Sequence, residues 1–238
     1  MTITPDSITL WEMGSLKLNA TIVFTWVVMV LMVLFSWLVT RRLTSGTDIS
    51  RGQNLLEVLV NGIRSQIREI SQHDPRPYLP FVGSLFLFIA VSNILTIVPG
   101  YHPPTGSLST TAALALCVFV AVPAHGIAEQ GVARYFVHYV RPTPLMLPFH
   151  LIGELTRTLA LAVRLFGNIM SGSMIVAILV ALTPLFFPIV MHALGLLVGL
   201  VQAYIFAVLA MVYIASAARR RRERLDQEPE QDQSRGES

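Results

Sequence analysis

Apolar residues in this chain come in long unbroken runs rather than in alternation, and that pattern sets the element count. Ala20 to Thr40, ATIVFTWVVMVLMVLFSWLVT, carries no charge. At ~1.5 Å per residue it crosses about 30 Å of hydrocarbon. Residues 51–71 behave differently. Leu55, Leu56, Leu59, Val60, Ile63, Ile67 and Ile70 recur at helical spacing, with Glu57, Arg64, Arg68 and Glu69 between them. This predicts an amphipathic helix on the cytoplasmic membrane surface or against a partner helix. Pro75, Pro77 and Pro80 break it. Phe81 to Val98 and Leu108 to Val122 predict the second and third spans, joined by the uncharged loop Pro99-Gly-Tyr-His-Pro-Pro-Thr-Gly106. The stretch from Gly126 to Pro148, with Glu129, Arg134 and Arg141, reads as a polar cytoplasmic connection. Phe149 to Ala218 is about 70 residues, more helix than two upright spans require. Pro184 and Pro188 divide it.

Charge placement fixes the direction of these spans. Arg41 and Arg42 follow the first span, and Arg219–Arg222 with Arg224 follow the last. Short loops rich in Lys and Arg stay in the cytoplasm, so the segment 149–218 crosses an even number of times. The reading is an all-α integral membrane protein of five transmembrane helices, with spans at 20–40, 81–98, 108–122, 149–182 and 186–218. The last two are long and strongly tilted. The N-terminus lies outside and the C-terminus in the cytoplasm. Residues 1–19 form an external segment, 20–218 a single transmembrane domain, and 219–238 a cytoplasmic tail. The acidic and Gln-rich stretch from Arg224 to Ser238 is expected to be disordered.

Composition agrees: 53% of residues are hydrophobic and 13% charged. The net charge of +3 is concentrated beside the last span, which favours a membrane anchor over a nucleic-acid surface. The single cysteine, Cys117, sits in an apolar run and excludes a disulfide within the chain. The first twenty residues lack a basic region and a cleavage site, so no cleaved signal peptide is expected. No phosphate loop, metal-ligand cluster or nucleophile triad is present in the sequence, and no cofactor is expected.

The candidate chemistry lies in FHLIGELTRTLALAVRLFGNIMSG, residues 149–172. At about 100° per residue Glu154, Arg157, Leu161, Arg164, Asn168 and Gly172 share a stripe roughly 80° wide. A charge in hydrocarbon costs at least ~2.5–3.5 kcal/mol on insertion scales, so this stripe implies a polar cavity or a partner. Arg164 is the sharpest residue, because a guanidinium holds a fixed positive charge that can sit opposite a carboxylate. The plainer reading is a buried pair between Glu154 and one arginine, which leaves the other arginine to seek an external anion. In the last span Gly195, Gly199, Gln202, Phe206, Leu209 and Tyr213 share a face, the Gly195-xxx-Gly199 pair permitting close helix approach. Asn93, Thr96 and His192 are candidate linings of a water path, with structural hydrogen bonding as the alternative for each.

Ala162-Val-Arg164-Leu-Phe-Gly-Asn168, then Gly172 and Gln202-Ala203-Tyr204-Ile205-Phe206, resemble subunit a of the F-type ATP synthase. Asn93-Ile-Leu-Thr-Ile-Val-Pro99-Gly100 and the Pro-Pro-Thr turn resemble it too. The resemblance implies a non-catalytic, ion-conducting stator subunit in the bacterial inner membrane. Its partners would be a ring of c subunits, b subunits, the soluble ATPase sector and membrane lipid, without nucleic acid. It assigns Arg164 to the ring carboxylates, with Asn168 and Gln202 beside it. Many bacterial members carry Glu and His where this sequence has Ser173 and Gly195, so the outer half-channel is expected to differ, with His192 one turn earlier. That departure resembles the N-type branch, in which the ion is a proton or sodium. Two rival readings remain: a secondary transporter binding an anionic solute through Arg157 and Arg164, and a purely structural membrane subunit.

Overall fold

The computed structural model describes residues 9–13, 16–41, 51–71, 75–98, 100–131, 146–182 and 187–219. Strands β1 (Thr9–Met13) and β2 (Leu16–Asn19) pair antiparallel, with Glu12 opposite Lys17 and Met13 opposite Leu16. This small hairpin lies in residues 1–19, the segment expected on the external side of the membrane. Helices α1 (Ala20–Thr40), α2 (Arg51–Ser71), α3 (Leu79–Ile94), α4 (Leu108–Gln130), α5 (Met146–Leu182) and α6 (Phe187–Arg219) follow. All but α2 are long and apolar enough to cross a membrane.

Most helix limits follow local chemistry. Pro80 occupies the first turn of α3 and Pro188 the first turn of α6, where a missing N–H breaks no helical bond. The third span departs from expectation: α4 continues through Pro123 to Gln130 instead of stopping at Val122. Its extension is docked, because the His125 ring stacks on Tyr78 at 5.5 Å and lies 6.2 Å from Phe81. That tertiary contact outweighs the proline, and Gly131, at φ 82°, then ends the helix. The expectations for the connection through Arg134 and Arg141, for the break at Pro184 and for the tail Arg224–Ser238 fall outside the described residues.

The core is built where α3, α4 and α5 pack around α6. Ile89, Val118, Leu161, Leu165, Phe206, Met211 and Ile214 are buried there, with alanines along α6 admitting close approach. α3 packs most extensively on α6, while α5 lies against α4 and α6. α2 lies against α6 and α3 through Ile63, Ile67 and Ile70, so the partner of this amphipathic helix is its own bundle.

α5 stands at the edge. Within Ile152–Leu182 only Leu161, Ala162 and Leu165 are buried inside the chain, whereas the 16-residue α3 alone buries seven. At 37 residues α5 is about 55 Å long, more than an upright crossing of a 30 Å hydrocarbon layer uses. A 3₁₀ turn, Pro104–Gly106, tucks in among α1, α3, α4 and α5, and all three of its residues are buried.

Candidate functional site

The polar stripe of α5 divides in three dimensions. Leu161 turns into the core and is 1% exposed, while Arg157 and Arg164 turn outward. Glu154, Asn168 and Gly172 are half-buried along the boundary, and Ser173 is exposed with its hydroxyl donating to the Met170 carbonyl at 2.8 Å. Among the described residues the two arginines of the stripe thus face out of the bundle rather than into it. The arginines project from a helix whose neighbouring Leu155, Leu159 and Val163 are themselves half or more exposed.

The two arginines are held differently. The Arg157 guanidinium lies over the Tyr213 ring, 5.6 Å from its centroid, which gives the cation a partner on α6. Arg164 has no hydrogen-bonding, ion-pair or ring partner among the described residues. Among the described residues no contact of Arg157 or Arg164 with a carboxylate is seen, and Arg157 meets the Tyr213 ring instead. Arg164 is thus a fixed positive charge on an apolar, outward face, and an external anion is what it lacks.

α5 and α6 form a hairpin, and the Arg157–Tyr213 contact sets its register. Asn168 lies eleven residues on from Arg157 and Gln202 eleven residues back from Tyr213, both toward the turn of the hairpin. Gln202 is 6% exposed and its Nε2 has no partner.

One turn before Gln202 the expected glycine pair resolves into one working member. A Cβ on Gly199 would stand 2.8 Å from Asn93 Cγ, and Asn93 Nδ2 donates to the Gly199 carbonyl at 3.0 Å. Gly195 is exposed with open space around it, so the close approach is made by a side chain at Gly199 alone. Asn93 is 4% exposed, and its own carbonyl accepts the Thr96 hydroxyl at 2.6 Å. His192 is exposed on α6 and joins none of these groups.

Sequence reading passed over three further polar residues. Ser92 Oγ, Tyr101 Oη and Thr105 Oγ1 are buried without partners, Ser92 and Thr105 at 0% exposure. Burial pushes the Tyr101 phenol up to about 12, the neighbouring Ser92 hydroxyl pulling the other way. The two are close without forming a well-directed hydrogen bond. The only sequence signal was position: Ser92 precedes Asn93, and the other two lie in the uncharged loop.

A family model described as ATP synthase A chain matches residues 22–215. ATP synthase subunit a 2 of Acaryochloris marina is 61% identical over 92% of this chain and 93% of its own length. ATP synthase subunit a 1 of Chlorobaculum parvum is 60% identical over 93% of this chain and 98% of its own. ATP synthase subunit a of Albidiferax ferrireducens is likewise 60% identical, over 93% and 96%.

Proposed function

The chain belongs to the ATP synthase A chain family, and on that premise we propose that it is the ion-translocating stator subunit of a rotary ATPase, gating a ring of c subunits through Arg164. It is a multi-pass membrane protein and a member of the ATP synthase complex. One observation carries the proposal: Arg164 stands uncompensated on the outward face of a helix at the edge of the bundle. A ring of helices that each present a carboxylate supplies the missing anion and covers that face.

The mechanism follows from fixed charge. A carboxylate facing Arg164 is held ionised, since an opposite charge a few ångströms away favours the charged form. Away from the arginine it must be neutralised by a cation before it can enter lipid. A cation arriving by one half-channel neutralises the site, rides with the ring, and leaves by the other half-channel as the carboxylate nears Arg164. The guanidinium cannot carry the cation itself, so the two half-channels stay separate. Flux and rotation are thereby coupled, and the central stalk passes rotation to the soluble sector. The cation is a proton or sodium. Ser173 and Gly195, where many bacterial members have Glu and His, favour the N-type branch. The arginine clusters support a reading with the tail in the cytoplasm of a bacterial cell and the loop between the second and third spans outside.

The transporter reading loses support here. Broken-helix transporters bind anions inside an alternately opened cavity, whereas Arg157 and Arg164 face away from the bundle.

Ser171 is exposed and lies two turns from Arg164 on the same face. In a Cys117→Ser background, Ser171→Cys is expected to form a disulfide under mild oxidation with a cysteine placed beside the ring carboxylate. No adduct there, with one from Trp26→Cys on α1 instead, would set the ring against the wrong face and overturn the assignment.

A further inference from the structure

The turn between α3 and α4 enters the bundle as a stiff wedge. Pro103 and Pro104 have φ fixed by their rings. The Gly106 N–H donates to the Pro103 carbonyl at 2.9 Å, and the Ser107 N–H donates to the Pro104 carbonyl at 3.1 Å. Both ends are fastened. On one side the Tyr101 ring meets Phe24 of α1 edge-on at 5.0 Å. On the other the buried Thr111 hydroxyl donates to the Ser107 carbonyl at 3.2 Å, in the first turn of α4.

This wedge bears on α5 at one point. A Cβ on Gly106 would stand 3.3 Å from Ile169 Cγ2, so even an alanine there is crowded. Ile169 lies near the midpoint of the apolar stretch Ile152–Leu182. From Phe166 to Leu182 no residue of α5 is buried, and within that length Ile169 is the residue packed against the hydrophobic core. The second half of α5 thus leans on the turn through this side chain.

The direction of that contact matters. At about 100° per residue Arg164 sits roughly 140° round the helix from Ile169 and about 7.5 Å along it. The turn therefore touches the back of the helix whose front carries the arginine. Were the two pressed together, α5 would give way, because the turn is enclosed among four helices whereas the far side of α5 is uncovered. Close-packed interiors transmit a displacement rather than absorb it. Gly106 lies outside the left-handed region, so its lack of a side chain answers to space and not to backbone conformation.

We propose that the Pro103–Gly106 turn is a backstop for α5, and that Gly106, acting through Ile169, is a positioning residue that sets how far Arg164 stands from the carboxylates of the ring. The proposal rests on the stator reading above and adds to it what holds the gate in place. Attraction between the guanidinium and a carboxylate grows as they approach. An arginine pushed forward holds each carboxylate longer and slows the ring, whereas one that settles back lets cations pass without rotation. Misplacing a working group by 1 Å costs about 10²-fold, so a few tenths of an ångström corresponds to roughly a few-fold.

The test uses the assembled complex in inverted vesicles, with ATP hydrolysis and cation uptake both measured per assembled complex. Gly106→Ala is expected to slow both together by roughly a few-fold, with the cations moved per ATP unchanged. Adding Ile169→Leu, which takes the methyl off Cβ at unchanged volume, is expected to restore the rate. Ile169→Ala removes the stop from the α5 side without altering the turn, and tests the same contact if Gly106→Ala does not assemble. It is expected to lower the cations moved per ATP. Native rates in Gly106→Ala, a slowed rate that Ile169→Leu does not restore, or native coupling in Ile169→Ala would each overturn the backstop. Arg164→Ala is run beside them: loss of uptake there with native behaviour in the other variants leaves the gate standing and removes only the backstop, whereas native uptake in Arg164→Ala removes both.

Discussion

Single residues decide this protein's function where they violate the rule of their surroundings. Arg164 was legible in sequence because a guanidinium in an apolar run demands a counter-charge, either a nearby glutamate or an external anion, and the structure adds that it faces outward. Gly199 was only half legible. Its spacing from Gly195 suggested two helix backbones in contact, whereas the close neighbour is the Asn93 amide. Spacing along one helix cannot say what lies opposite it. Gly199→Ala is expected to push Asn93 off its carbonyl and to destabilise by about 1–3 kcal/mol, as overpacking does. Gly195→Ala, in open space, is expected to be neutral or slightly favourable. Thermal unfolding of the two variants in detergent checks this; equal midpoints would show that the Asn93 contact carries no weight. Ser92, Tyr101 and Thr105 escaped sequence reading because a lone hydroxyl is unremarkable until its burial and lack of a partner are seen.

Whole elements were easier to read than their limits or their neighbours. α1 and the amphipathic α2 follow directly from hydrophobic period, since apolar runs and apolar stripes are properties of a segment by itself. The end of α4 did not follow. Its apolar run was read only to Val122, whereas the helix carries on to Gln130 with His125 stacked on Tyr78, a contact between segments far apart in sequence. Nor could the amphipathic pattern tell lipid from protein as the partner of α2. Ile67, 1% exposed, anchors that helix in the core, and beside it an apolar groove of about 340 Å³ separates α2 from α3 and α6. The Tyr204 hydroxyl donates to Gln66 Oε1 at 2.8 Å across the same interface, but at the surface. Ile67→Ala is expected to cost about 2–5 kcal/mol of α2 docking. Tyr204→Phe should cost at most about 1.5 kcal/mol, the net value of one hydrogen bond. Rates of proteolysis within α2 in detergent rank the two, and an equal rise in both would mean that the hydrogen bond, not apolar burial, holds the helix.

At the scale of the molecule the chain is an incomplete object. α3, α4 and α5 pack around α6, and α5, which gives Leu161 and Leu165 to that centre, carries its arginines on a largely uncovered outer flank. A flank that is apolar and cationic at once suits neither lipid nor water, and a ring of helices with buried carboxylates suits it on both counts. Family membership and the outward arginine are independent observations that meet at this face. The most direct test is ATP-driven cation uptake by inverted vesicles carrying the assembled complex, comparing the native chain with Arg164→Ala and Arg164→Lys. Because Arg164 is exposed and bonds to nothing within the described chain, both variants are expected to assemble. Arg164→Ala is expected to abolish uptake. Arg164→Lys is expected to fall far below native, since a mobile ammonium that can give up its proton replaces a fixed charge. Uptake at the native rate in Arg164→Ala would contradict the account, leaving Arg164 a bystander on a surface built for some other contact.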